Sequence, residues 1–288
     1  MESGELIRKV RKIEIRTKAL SQHIFSGQYH SAFKGLGMAF SEVRQYGYGD
    51  DVRFIDWNVT ARFNQPYVKI FEEERELTVM LLIDVSGSNL FGTRNQFKSE
   101  LATELAAVLS FSAINNNDKV GVIFFSDRVE KFIPPKKGRS HTLRIISELV
   151  NYTPSQSKTD IGEALRYLTN AIKKKCTAFL ISDFLNANYE QALRIAANKH
   201  DVVALHIMDR GEDQLPDLGL IHIKDPETGK FFLADTSDQA VRKAHHNWWM
   251  ELQRQNNEIF RRNGVDVASL YTDRDYVRTL IELFQKRG

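Results

Sequence analysis

Three small oxygen-bearing side chains stand at alternate positions in LLIDVSGSNL, residues 81–90: Asp84, Ser86 and Ser88. They close an apolar run, where a buried strand gives way to a loop. Asp and Ser hydrogen-bond nearby backbone, so a capped strand-to-helix turn accounts for the three taken alone. The other chemistry open to them is coordination of a hard cation by oxygen donors. Two further residues bear on the choice. Thr159 stands just ahead of the helical pattern IGEALRYL, and Asp183 directly follows the apolar run TAFLIS.

For these five side chains to meet, the ends of separate segments must share one edge of a fold. From residue 77 onward, apolar runs alternate with amphipathic helical patterns. The runs 78–84, 119–125, 177–182, 201–208 and 266–271 are rich in Val, Ile, Leu, Phe and Ala, which suits strands buried on both faces of a parallel sheet. Helical patterns occupy 96–114, 141–150, 161–174, 189–199 and DYVRTLIELFQKR after the last strand. Strand then helix, repeated, predicts an α/β fold: a doubly wound, mostly parallel sheet with helices on both faces. Residues 128–134 follow the second strand too soon for a crossover helix and are expected as an antiparallel edge strand. Residues 218–237 read as an inserted hairpin turning at DPETG. A long helix over 238–262 follows, with Trp248 and Trp249 expected to pack on the body of the protein.

In an open α/β sheet, ligands collect outside the carboxyl ends of the strands, where the strand order reverses. With TVMLLID and TAFLIS as central neighbours, Asp84, Ser86, Ser88, Thr159 and Asp183 converge there. All are oxygen donors and no Cys or His joins them, a set that suits Mg²⁺, or Mn²⁺ in its place, over Zn²⁺. Only Asp84 and Asp183 are carboxylates, so the ion would keep a demand for one more anionic oxygen from outside.

Residues 1–76 differ in character from 77–288. A helix is expected over 3–25, then an aromatic, charged stretch without helical period, read as a small, partly β companion segment. Within it, Asp50, Asp51, Arg53, Asp56 and Arg62 are expected to form a salt-bridged lock onto the main domain, with Trp57 buried between them. A surface for a partner is the other reading of the same residues. Irregular segments need their polar groups satisfied, which favours the lock.

Composition narrows the function further. At 288 residues with 42% hydrophobic content, the chain can bury a large core. No apolar run approaches the roughly 20 residues of a membrane span, and the charged N-terminus lacks the apolar stretch of a secretory signal, so a cytoplasmic location is expected. The single Cys176 excludes an internal disulfide framework and a multi-cysteine zinc site. A net charge of +3 is too mild to imply nucleic acid, and the short basic clusters at 134–139 and 173–175 have no aromatic platform beside them. His245 and His246 adjoin, but helix neighbours diverge by about 100°, so they are expected on a helix surface and not on a shared ion.

At these residues the chain resembles known proteins. DVSGS, the Thr159 loop and Asp183 are similar, in order and in element, to the metal-ion-dependent adhesion site of von Willebrand factor A-type domains. GYGDDVRFIDWNVTAR at 47–62, YVKIFEEERE before the first strand and DPETGK before the long helix resemble the bacterial domain of unknown function 58 family. The first resemblance implies an ion held by Ser86, Ser88 and Thr159, with Asp84 and Asp183 acting directly or through water, and an Asp or Glu of a protein partner completing the shell. The second implies an adaptor or co-chaperone of a MoxR-type AAA+ ATPase, the partner being that ATPase or its client. Two positions depart from related domains: Lys158 stands where glycine is common, and Asn89 where Met is frequent. An inward-turned Lys158 amine would repel the ion. The rival class is a Mg²⁺-dependent phosphohydrolase of haloacid-dehalogenase type with Asp84 as nucleophile. That chemistry wants a second carboxylate two residues on, and Ser86 stands there.

Overall fold

A computed structural model of the chain describes residues 37–74, 77–92, 96–152, 158–185, 188–224 and 230–287, together with 11, 13, 14 and 17. It divides into two units, residues 34–77 and residues 1–33 with 78–288. Residues 11, 13, 14 and 17 are helical; the rest of the helix expected over 3–25 lies outside the described residues. Glu14 is buried and ion-paired with Arg139, and Ile13 packs on the buried cluster of Ala107, Phe111 and Ile146.

In the small unit, strand β1 (Gly37–Gln45) pairs antiparallel with β2 (Tyr67–Glu74), with a register shift between Phe40 and Glu42. Between them lies a short helix the sequence pattern does not announce, α1 (Trp57–Phe63). Its ends explain it. Asp56 caps the start by accepting the Asn58 and Val59 N–H groups, and Asn64 ends it in the left-handed region at φ 52°.

In the large unit the six-stranded sheet runs β10-β7-β6-β3-β4-β5. The strands are β3 (Thr78–Asp84), β4 (Lys119–Phe125), β5 (Val129–Lys136), β6 (Thr177–Ser182), β7 (Asp201–Met208) and β10 (Asp266–Tyr271). All neighbours are parallel except β4 and β5, so residues 129–136 form the expected antiparallel edge. Val79 to Ile83 of β3 have no exposed surface, as a strand covered on both faces requires. The expected hairpin is present as β8 (Leu220–Lys224) against β9 (Phe231–Asp235); its DPETG turn lies outside the described residues.

Helices α2 (Lys98–Asn115), α3 (Arg139–Val150), α4 (Ile161–Ala171), α5 (Glu190–Lys199), α6 (Arg210–Asp213), α7 (Gln239–Arg262) and α8 (Tyr276–Arg287) complete the unit. Apolar residues fall on nearly every side of α2, and 13 of its 18 residues are buried, so it is a core helix rather than an amphipathic cover. On α7, Trp249 is buried as expected but Trp248 is 53% exposed. The strand order is that of a doubly wound sheet: the chain winds outward from β3 through β4, then returns to β6 on its other side. The reversal point therefore lies between β3 and β6, whose register pairs Ile83 with Ile181. Asp84 and Ser182 end adjacent strands at that point.

Candidate metal centre

Asp84 is 2% exposed and its two carboxylate oxygens have different work. One accepts the Ser86 N–H at 2.9 Å, which tightens the loop after β3. The other accepts the Ser182 hydroxyl at 2.7 Å, which ties that loop to β6. Asn89 holds the same loop from beyond, its side-chain N–H donating to the Asp84 carbonyl at 3.0 Å. The residue that departs from related domains thus has a structural task here. Within this clasp a 3-10 turn, Gly87–Leu90, brings the Ser86 and Ser88 hydroxyl oxygens to 3.1 Å from each other, both nearly fully buried.

Across the reversal point, Asp183 is 1% exposed. Its carbonyl accepts from His206 Nε2 at 3.0 Å, and its carboxylate accepts from Lys98 Nζ at 2.7 Å. Lys98 opens α2 and has no exposed surface. A cation at a helix N-terminus opposes the helix dipole, so its position depends on its partners. The second partner is Glu212, which also accepts from the Lys98 ammonium. Glu212 is oriented by a capping box on α6, accepting the Asp209 N–H at 3.0 Å with its other oxygen. Breaking such a buried charge group from one side costs about 3–5 kcal/mol.

The electrostatics divide the carboxylates. Burial first, then the charge of Asp183, pushes the Asp84 pKa up, against hydrogen bonds from Ser86 and Ser182. Burial, the largest single influence, would also raise Asp183, but the Lys98 charge together with hydrogen bonds from Lys98 and Ser88 outweighs it and leaves the pKa lowered. Burial alone would drive the Lys98 ammonium down; Asp183 and Glu212 instead hold it up at about 12. The site therefore contains a fixed Asp183–Lys98 ion pair beside a carboxyl, Asp84, that ionises reluctantly.

The donor set fits a small hard cation. Oxygen ligands at right angles on an octahedral Mg²⁺, each at about 2.0–2.1 Å, lie about 3 Å apart, and the two serine oxygens stand at 3.1 Å. The buried Asn89 Oδ1 beside them has no hydrogen-bond partner. Among the described residues no three His, Cys, Asp or Glu side chains gather, so a site here depends on hydroxyls. Thr159 is buried in the loop before α4, which the Asp160 N–H fastens to the Ser126 carbonyl at the end of β4. That places it on the same sheet edge. Lys158 is exposed, so the cation inside the site is Lys98.

The residues expected as a lock have these partners within the small unit. Asp50 pairs with Arg44, Asp51 with Arg53, and Asp56 with Lys69, all within residues 44–69. Trp57, the first residue of α1, is 69% exposed, and Arg62 is exposed as well. His245 and His246 are half-buried rather than purely superficial: His245 contacts the Glu212 carbonyl and His246 the Asp213 carboxylate, so α7 grips α6. Neither Lys98 nor Glu212 was expected in the site. Glu212 had a signal in the spacing Asp209-x-x-Glu212, and Lys98 in a lysine at a helix start.

With this geometry in hand, comparison with known proteins is informative. The model of the family described as "Protein of unknown function DUF58" matches residues 42–255, well over half of the chain. This chain belongs to the DUF58 family. The uncharacterized protein Mb1516 of Mycobacterium bovis is 30% identical over all of this DUF58 chain and 91% of its own length. The uncharacterized protein Rv1480 of Mycobacterium tuberculosis matches to the same extent. Among solved structures, BatB of Bacteroides thetaiotaomicron is similar at 18% identity and TM-score 0.48, over 73% of this chain and 98% of that one. Proximal thread matrix protein 1 of the mussel byssus, solved with a zinc-occupied MIDAS motif, is similar at 14% identity and TM-score 0.37, over 73% and 69%.

Proposed function

We propose that this DUF58 protein is a non-enzymatic protein-binding module that captures an Asp or Glu side chain of a partner through a Mg²⁺ site, with Mn²⁺ able to substitute. Ser86, Ser88 and Thr159 are the residues that would hold the ion, with Asp84 and Asp183 orienting hydroxyls and waters around it. The observation that carries this is the pair of buried serine hydroxyls 3.1 Å apart beside Asp84. A bound Mg²⁺ would supply a Lewis-acidic position open to one anionic oxygen. The chain's own contribution is restraint: Ser182 and Asn89 fix the loop, and Lys98 keeps Asp183 in place and neutralised. A partner carboxylate is then the natural anion to complete the set.

A cytoplasmic adaptor or co-chaperone role beside a MoxR-type AAA+ ATPase fits a module of this kind. Among the described residues no helix is long and apolar enough to cross a membrane. The test is affinity capture from native extract with wild-type and Ser86→Ala/Ser88→Ala baits, each in Mg²⁺ and in EDTA. A protein held by wild type in Mg²⁺, lost in EDTA and from the variant, and lost again when one of its own acidic residues is made an amide, supports capture. Identical proteins on all baits would refute it.

A further inference from the structure

Lys98 is a fully buried ammonium, and Glu212 is a carboxylate outside the motif that first marked the site. Neither belongs to a solvated face. Lys98 lies within hydrogen-bond distance of both Asp183 and Glu212, and it is 5.8 Å from the centroid of the Phe91 ring. Glu212 is held by the α6 capping box, and α6 is gripped by His245 and His246 from α7. The group is therefore rigid and joins three elements: the start of α2, the end of β6 and α6.

We propose that Lys98 is the resident counter-cation of the metal site and Glu212 the carboxylate that shares Lys98 with Asp183, and that their charges set its affinity for a divalent ion. The inference rests on the metal-site reading above. Lys98 pairs with two carboxylates, Asp183 and Glu212, and Asp84 is tied by Ser182 to the end of the adjacent strand; with Asp84 ionised, the four groups carry two net negative charges for one dication to neutralise. Without Lys98, Asp183 and Glu212 would be left as two unpaired carboxylates in a buried space. Without Glu212 the Lys98 charge would be spent on Asp183 alone, and the site would present a single negative charge. In this arrangement Asp183 takes part through its Ser88 hydrogen bond while its other contacts go to Lys98.

The order of affinities follows from charge. Glu212→Gln weakens divalent binding by about tenfold or more, because a unit charge within about 10 Å of a dication is worth well over 1.4 kcal/mol at an effective dielectric near 20. Lys98→Met tightens it by about tenfold or more for the same reason. Lys98→Met/Glu212→Gln returns the two negative charges and brings the affinity back to within about threefold of wild type. A side chain with a purely structural role would not produce this restoration.

The experiment is a Mn²⁺ titration of the full chain, wild type and the three variants, following loss of the free-ion electron paramagnetic resonance signal at fixed pH and ionic strength. Circular dichroism confirms the fold of each. Should Lys98→Met not fold without metal, the wild type, Glu212→Gln and the double variant still decide the matter. The order Lys98→Met, then wild type and double variant together, then Glu212→Gln supports the proposal. Wild-type binding with an unchanged affinity in Glu212→Gln overturns it while leaving the metal site standing. No Mn²⁺ binding by wild type overturns both.

Discussion

Asn256 of α7 has no exposed surface and joins two elements by its side chain. Its carbonyl oxygen accepts the Tyr189 hydroxyl at 2.7 Å, and its amide donates to the Phe184 carbonyl at 2.9 Å. Phe184 directly follows Asp183 and has φ 49°, a conformation that costs a non-glycine residue about 1 kcal/mol or more. Edge contacts with Phe260 and His206, at 5.0 and 5.2 Å between ring centroids, hold its side chain, and Asn256 holds its backbone. Asn256→Leu keeps the volume and orphans both the Tyr189 hydroxyl and the Phe184 carbonyl. At about 1–3 kcal/mol for each buried unsatisfied group, with some relaxation, the expected loss is about 2–4 kcal/mol. For a chain of this size that lowers Tm by about 3–7 °C. Removing the hydroxyl first, with Tyr189→Phe, should reduce the cost of Asn256→Leu to about 1–2 kcal/mol. Urea unfolding of wild type, both single variants and the double variant measures the cycle. An Asn256→Leu variant within 0.5 kcal/mol of wild type (roughly the spread expected of a surface change), or a cycle with no coupling, would refute the network.

His206 is neutral in the folded protein, since burial pushes its pKa to about 4 from an ordinary 6.5. The unfolded chain takes up that proton below about pH 6.5, so the stability it guards is whole above that pH and is lost as pH falls toward 4. His206→Gln can keep the donor to the Asp183 carbonyl; its stability difference from wild type should shift by about 2 kcal/mol in its favour between pH 6.5 and 5 in urea melts. At Gly121 an added Cβ would lie 2.8 Å from both Met80 Sδ and the Pro135 nitrogen, so Gly121→Ala should destabilise by about 1–3 kcal/mol in the same assay. Cys176 is 4% exposed, and burial, with the charge of Asp201, pushes its thiol up to about 12. It should therefore resist a disulfide reagent at pH 8 in the native protein and react on addition of denaturant; rapid native labelling would contradict the packing.

Much of the large unit was legible because its strands are buried on both faces. TVMLLID and TAFLIS read as parallel core strands from composition alone, and the short step to residues 128–134 left no room for a crossover. The residues at the strand ends followed from the reversal rule, which is a statement about chain topology and needs no side-chain detail. Lys98 was not legible in the same way. One lysine in a helical pattern looks solvated, and its burial depends on Asp183 and Glu212, 85 and 114 residues away. In the small unit, read as partly β, the short helix was not legible. α1 is only seven residues long and buries no side chain fully, so its evidence lies in its caps, Asp56 and Asn64, instead of in any period. Within the small unit, Asp50, Asp51 and Asp56 pair with Arg44, Arg53 and Lys69, partners near in sequence or across the same hairpin.

The most direct measurement is the count of Mn²⁺ bound per chain by wild type and by Ser86→Ala/Ser88→Ala, read from the free-ion electron paramagnetic resonance signal with circular dichroism as the check on folding. One saturable ion in wild type, absent from an equally folded variant, is the predicted result. Equal binding by both, or none by wild type at millimolar Mn²⁺, would contradict a metal site built on the two serines.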